Sequence, residues 1–225
     1  MDGASTDGTR DLILEIIEAE RGRRDVKLIE QVPGFDYEAH GRDESGQPVG
    51  MLSLGKGDAV RKGFAAATGD ILMILDADMT VAPEDLPKFY EEIRSGRGEY
   101  INGTRLVYSM EDKAMRFLNF YANQFFAKIF TFLLNQEFSD TLCGTKVIGK
   151  ENYRRLSQNR GYFGDFDPFG DFDLIFGATK LNLKILEVPV RYKRRRYGTT
   201  QISRFKHGFL LIKMVLFAYR KLKLV

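Results

Sequence analysis

Residues 71–80 read ILMILDADMT, and this stretch decides the fold. Five apolar residues in a row, closed by Asp-Ala-Asp, predict a short strand ending in carboxylates. An all-apolar strand is what a parallel sheet covered on both faces requires. Strand alternation puts Asp76 and Asp78 on the same side if the extended geometry continues past Leu75. They then sit at the carboxyl end of the sheet, where open α/β folds bind ligands. Two adjacent carboxylates repel unless a cation joins them, and hard oxygen ligands suit Mg²⁺ or Mn²⁺. Taken alone, the stretch reads equally well as a capping loop, because an aspartate ahead of MTVAPED is a good N-cap.

Outward from this strand, helix and strand patterns alternate. Residues 10–20 predict a helix with Leu12, Ile13, Ile16 and Ile17 on one face. VKLIEQ (residues 26–31) predicts a strand. Residues 33–50 are polar and glycine-rich and predict a surface insertion. GKGDAVRKGFAAAT (residues 55–68) predicts a glycine turn feeding a helix, with Val60 and Phe64 four apart. APEDLPKFYEEI (residues 82–93) predicts a helix with Pro83 in its first turn and acids near its start. YINGTR (residues 100–105) is a further strand. This is α/β alternation. The second half differs: residues 115–138 form a phenylalanine-rich helical run, TKVIG and LKILEVPVRY predict strands, and residues 205–225 form a basic, aromatic helix.

Composition sets limits. The 225 residues suggest one domain, or one with appendages, and a 44% apolar fraction supports a real core. A net charge of +3 gives no global field for nucleic acid, although RYKRRR (residues 191–196) concentrates cations locally. One cysteine, Cys143, excludes an internal disulfide and fits a reducing compartment. No uncharged apolar run of about 18 residues is present to span a bilayer.

Three more stretches carry candidate chemistry. The opening MDGASTDGTR crowds Asp2, Ser5, Thr6, Asp7 and Thr9 ahead of a helix. It reads as plain capping, as a loop accepting hydrogen bonds from a nucleobase or ribose, or, least well, as a calcium loop lacking its bidentate acid. Lys56 within GKG sits where backbone amides cradle phosphate, although a bare glycine turn explains it equally. FGDFDPFGDFDLIFGA holds Asp165, Asp167, Asp171 and Asp173 among aromatic residues. Acids in an apolar setting are costly unless they bind or react, and one can serve as a general base; otherwise they are exposed turn residues.

Taken in order, the pieces resemble a family 2 glycosyltransferase of GT-A type, in the branch of polyprenyl (dolichyl) phosphate sugar transferases. DGASTDGT resembles the family's nucleotide loop, GKGDAVRKGF its Gly-Lys-Gly helix start, and DAD its metal motif. NGTR resembles the Gly-Ser-Arg strand, DTLCGTKV the Asp-x-x-Cys/Ser-Gly segment, and FDLIFGATKLNLKILEVPVRYKRRRYGTT the closing part of the catalytic domain. The resemblance implies an α/β fold with a mixed, Rossmann-like sheet flanked by helices. It implies a catalytic domain over residues 1–200, followed by a basic amphipathic helix over 201–225.

It also implies an inverting, metal-dependent hexosyl transfer from a UDP- or GDP-sugar, with Mg²⁺ or Mn²⁺ on Asp76 and Asp78. Asp2, Ser5, Asp7, Lys56, Asp76 and Arg195 would bind the donor, and Asp171 or Asp173 would act on the acceptor. A polyprenyl phosphate or other lipid-linked acceptor places the chain on the cytoplasmic face of a membrane, in cell-envelope glycan synthesis. The phenylalanine-rich helix and the cationic C-terminal helix would touch the lipid surface. Met79 and Thr80 depart from the Leu-Gln usual in that branch, and Gln201 stands where a lysine is common. The family's usual opening strand, helix and strand have no counterpart ahead of Met1, so a truncated sheet with an unpaired hydrophobic edge is expected. Two other readings stay open: a non-catalytic binding module of the same fold, and a nucleotidyltransferase, although the latter's glycine-rich basic loop is not visible.

Overall fold

The structure is a computed structural model that describes residue 2 and residues 5–30, 56–105, 117–159, 172–193 and 204–223. The described residues through Thr68 form one compact unit, and those from Gly69 onward form a second.

In the first unit, α1 (Thr9–Ala19) follows Gly8, whose φ of 84° is a left-handed conformation that favours glycine. The apolar face expected on α1 is present in sequence but not buried: Leu12 and Ile16 are exposed and Ile13 and Ile17 half-buried. The expected strand at residues 26–31 reduces, among the described residues, to one parallel bridge between Glu30 and Asp2. The GKG stretch leads into α2 (Lys56–Ala66), as its pattern predicts, with Phe64 buried.

The second unit holds a four-stranded mixed sheet in the order β1-β3-β2-β4. Its strands are β1 (Ile71–Met73), β2 (Tyr100–Thr104), β3 (Lys146–Gly149) and β4 (Ile185–Pro189). β3 runs antiparallel to both β1 and β2, while β2 and β4 are parallel. The expectation of a parallel, doubly covered strand at residues 71–75 is therefore corrected. β1 is three residues long, pairs antiparallel with β3, and ends the described sheet with only Leu72 of its three residues buried. A five-residue apolar run cannot report the direction of the strand that pairs with it.

Alternation sorts the sheet residues onto two faces. One face carries Ile71, Met73, Ile101, Val147, Leu186 and Val188, packed with Phe89 and Ile93 of α3 (Leu86–Arg94), Val81, Cys143 and Val190. A 3₁₀ turn at Pro83–Asp85 precedes α3, so Pro83 occupies a position that needs no amide hydrogen. α5 (Lys150–Gln158) packs on β3 and on α6 (Phe172–Lys180), and α4 (Phe117–Leu134) packs on α7 (Arg204–Lys223). Phe130 of α4 stacks on Phe172 and Phe176 of α6 with ring centroids 5.2 and 5.7 Å apart. Gly177 lets α6 meet α5, because a Cβ there would lie 2.3 Å from Leu156 Cγ.

Gly103 in the middle of β2 has a similar reason. A Cβ there would stand 2.6 Å from Cys143 Sγ and 3.2 Å from the Thr145 carbonyl oxygen. Gly103→Ala should cost about 1–3 kcal/mol through overpacking, read as a lower urea midpoint with unchanged slope. An unchanged midpoint would show that the packing around Cys143 is looser than the structure has it.

Candidate functional site

The second face of the sheet sets a polar row beside buried Leu72, Tyr100 and Ile148. By register, Asn102 of β2 lies opposite Lys146 of β3 on one side and Glu187 of β4 on the other. Asn102 and Lys146 are essentially inaccessible to solvent. Most buried polar groups have hydrogen-bond partners, and all three of these residues bond to one segment, although Asn102 Nδ2 also donates to the Gly103 carbonyl and Asn102 Oδ1 has no partner. Glu187 accepts from the backbone amides of Ser139 (2.8 Å) and Asp140 (3.3 Å), and Asn102 Nδ2 donates to Glu187 Oε1 (3.2 Å). Asn102 Nδ2 also donates to the Asp140 carbonyl at 2.8 Å, and Lys146 Nζ donates to the Cys143 carbonyl. Burial raises the Glu187 carboxyl above its usual range, against the lowering pull of the Ser139 and Asp140 hydrogen bonds. The row thus clamps residues 139–143 over the sheet.

The clamped segment presents Asp140 to Arg105, at the end of β2. Nε and Nη2 of Arg105 reach Oδ2 and Oδ1 of Asp140 at 2.6 and 2.8 Å, and the Arg105 amide adds a bond to Oδ2 at 3.0 Å. This is a bidentate fork-to-carboxylate pair, the strongest side-chain geometry available. Burial opposes both charges, yet each partner outweighs it: Asp140 is held below the usual carboxylate range, and Arg105 is held protonated. Beside the pair, the Cys143 thiol is pushed up to about 11, chiefly by burial, so it is a packed sulfur rather than a nucleophile. The guanidinium of Arg105 lies beneath the ring of Tyr192, 5.2 Å from its centroid.

Tyr192 leads to the carboxylates that opened the sequence reading. Its backbone forms an isolated antiparallel bridge with Val81, and the Lys193 amide donates to the Thr80 carbonyl at 2.8 Å. The intervening turn is tight. Asp78 Oδ1 accepts from both the amide (3.1 Å) and the hydroxyl (2.8 Å) of Thr80, and Met79 sits at a φ of 55° without being glycine. Asp76 and Asp78 are both half-buried, just past the end of β1. Asp78 does act locally as a cap, as one reading of the sequence had it, but for the turn rather than for α3. Pro83–Asp85 and α3 begin without a side-chain cap.

The donor set fits a hard divalent cation. It is all oxygen, and its half-exposed position leaves coordination places for phosphate oxygens and water. Among the described residues, no group of three or more His, Cys, Asp or Glu side chains could hold a metal without such outside ligands.

The other predicted residues fall as follows. In the first unit, Asp2 is buried, its amide donates to the Ile29 carbonyl, and its carboxylate accepts from the amide and hydroxyl of Ser5. Asp7 is exposed and accepts from the Thr9 amide at 3.1 Å, the hydrogen bonding to Thr9 keeping its carboxyl below the usual range. Asp7 thus takes the first amide of α1, although the N-cap residue itself, Gly8, provides no side-chain cap. Lys56 is half-buried at the first residue of α2. In the second unit, Asp173 is buried in the first turn of α6. Asp165, Asp167, Asp171 and Arg195 lie outside the described residues.

The sequence reading missed the row formed by Asn102, Lys146 and Glu187 and the pair formed by Arg105 and Asp140. A signal was present. Three segments quoted for the family resemblance, NGTR, DTLCGTK and EVP, each place a polar residue within a predicted strand or just ahead of one.

Residues 53–162 match glycosyl transferase family 2, a segment that includes the DAD turn, β2 and the 139–143 clamp. Glycosyltransferase AglJ of Haloferax volcanii is 27% identical over 225 residues, spanning 99% of this chain and 62% of that protein. The dolichyl-phosphate hexose transferase of the same organism is 28% identical over 163 residues, 72% of this chain and 66% of that protein. Glycosyltransferase AglD of that organism is 26% identical over 150 residues, 67% of this chain and 23% of that protein. The chain thus spans between about a quarter and two thirds of the length of these relatives. Residues 53–162 are thus similar to glycosyl transferase family 2, and the mixed sheet flanked by helices is the α/β arrangement expected of that family's GT-A fold.

Proposed function

We propose that this protein transfers a sugar from a nucleotide-diphospho-sugar to an acceptor, with inversion at the anomeric carbon. The observation that carries this reading is the DAD turn at the end of β1, inside the segment that matches the family. Asp76 and Asp78 would hold Mg²⁺ or Mn²⁺, which would supply positive charge against the charge that develops on the leaving diphosphate. The acceptor oxygen attacks the opposite face of the anomeric carbon. Asp173, a buried carboxylate on α6, or Asp171 would orient that nucleophile; a phosphate acceptor is already anionic and needs little base. Donor-binding roles for Asp2, Ser5, Asp7, Lys56 and Arg195 belong to the same proposal, as does a catalytic domain covering residues 1–200. Mn²⁺ with a panel of UDP-, GDP- and CDP-sugars should give nucleotide release from at least one donor. Folded protein that releases nucleotide from none would refute the proposal.

The acceptor we propose is a polyprenyl phosphate at the cytoplasmic face of a membrane, as the dolichyl-phosphate relative suggests. No helix among the described residues is long and apolar enough to cross a bilayer. Two are built to lie on one. α4 exposes Tyr121, Phe125, Lys128 and Phe132 along a single stripe, at i, i+4, i+7 and i+11. α7 buries Met214 and Ala218 and exposes Phe209, Ile212, Leu216 and Tyr219 beside Lys213 and Arg220. Phe125, Phe132 and Phe209 are 62, 64 and 63% exposed, which water alone does not favour.

The helices join at their C-terminal ends, where Lys223 Nζ donates to Asn135 Oδ1 (2.6 Å) and lies over the Phe132 ring (5.0 Å). Neither helix holds an acidic residue, so the face is apolar and cationic, the combination that binds anionic headgroups. Phe209→Glu with Leu216→Glu should cut flotation with phosphatidylglycerol vesicles at least fivefold, by roughly 1 kcal/mol or more of lost partitioning. Unchanged flotation would remove α7 from the membrane contact.

A further inference from the structure

We propose that Tyr192 and Arg105 are positioning residues that fix the Asp76–Thr80 turn in place, a role that rests on the transferase reading of that turn. β1 ends at Met73, so the backbone carrying Asp76 and Asp78 leaves the sheet several residues before it reaches α3. It needs a second anchor, and the structure supplies one from the opposite edge. After β4, the chain keeps one more rung, the Val190 amide to the Thr104 carbonyl at 2.9 Å. It then crosses to the turn, where Tyr192 bridges Val81 and Lys193 donates to Thr80.

Two backbone contacts on a short crossing segment hold little by themselves, because an isolated bridge lacks the neighbouring rungs that make a ladder cooperative. The side chain of Tyr192 adds what is missing. Its ring rests on the Arg105 guanidinium, whose plane is set by the bidentate grip of Asp140. Asp140 in turn sits in the segment that Glu187, Asn102 and Lys146 tie to the sheet. Rigidity built in the sheet centre therefore reaches the carboxylate turn through one stacked ring. Fixing the turn matters chemically because Met79 occupies a left-handed φ, which a turn held only at its N-terminal end would relax.

Arginine suits this place better than lysine, since its planar fork both pairs and stacks. The arginine of NGTR, largely buried in its pair with Asp140, thus braces the site.

Amide exchange on the unliganded protein tests this, reading the Lys193 and Thr80 amides, which bond across and within the turn. Tyr192→Leu keeps the backbone bridge and the bulk but removes the ring. It should speed exchange at both amides about tenfold, the scale of a partly desolvated ring–guanidinium contact, and leave Ile101 and Val147 in the core unchanged. Tyr192→Phe keeps the ring and should restore wild-type exchange within about twofold. Unchanged exchange in Tyr192→Leu, or equal acceleration in Tyr192→Phe, overturns the proposal. A parallel Mn²⁺ titration followed by electron paramagnetic resonance should show several-fold weaker binding in Tyr192→Leu alone, and equal affinity in all three proteins would also overturn it. If the wild type binds no Mn²⁺, the metal reading of the turn fails, while the exchange comparison still decides whether the ring holds it.

Discussion

Asp78→Ala should lower metal-dependent nucleotide release by about a hundredfold or more. Charge stabilisation of a leaving diphosphate supplies several kcal/mol, and each 1.36 kcal/mol is roughly a factor of ten in rate. Alanine also deletes the oxygen that accepts from the Thr80 amide and hydroxyl, so loss of charge and loss of the turn are mixed in that variant. Asp78→Asn separates them. Its amide oxygen can still accept both bonds, while the negative charge is gone. If charge is the main contribution, asparagine is nearly as damaging as alanine. Near-wild-type release in Asp78→Asn would mean that Asp78 serves the turn rather than a cation.

The largest effect on stability is expected from Arg105→Met. The variant leaves Asp140, which is completely buried, without its bidentate partner. Removing one member of a buried pair typically costs about 3–5 kcal/mol, because the other charge stays desolvated and uncompensated. Replacing both partners, as in Arg105→Met with Asp140→Leu, should recover a good part of that loss and so distinguish a stranded charge from lost packing.

The pH dependence has a definite sign. Asp140 is held below its unfolded pKa in the wild type, so it stabilises above that unfolded value, and the contribution is lost as pH falls through the folded one. Without Arg105, burial dominates and raises the Asp140 pKa, so acid relieves the stranded charge. The stability gap between wild type and Arg105→Met should therefore narrow from neutral pH to about pH 4. A gap that stays constant with pH would show that the cost is packing rather than electrostatics.

Much of the architecture was legible where local pattern alone determines the element. The helices at residues 86–94 and 117–134 and the strands at 100–104 and 185–189 each follow from their periodicity and end signals. Strand direction was not legible: ILMIL is compatible with either direction, and its partner β3 lies about 75 residues away in sequence. The apolar face of α1 was legible as a face, yet what covers it is not a property of residues 9–19.

Asp76 and Asp78 draw a metal reading from the sequence because two carboxylates after a strand are chemically conspicuous. Arg105, Asp140 and Glu187 were overlooked because each is ordinary alone. Their meaning comes from a register that sets Asn102 beside Glu187, and from a turn that carries Asp140 across to Arg105. The motifs named as family resemblance contained these residues, but only the sheet register shows that they form one network.

Sugar transfer itself is the most direct test of the account. The protein is incubated with Mn²⁺, vesicles containing a polyprenyl phosphate, and nucleotide-sugars labelled in the sugar, and the organic extract is analysed. The account predicts label in the lipid from at least one UDP- or GDP-sugar, dependent on divalent metal and lost in Asp78→Asn. Label appearing in neither lipid nor any other acceptor, with no nucleotide released by protein shown to be folded, would contradict it.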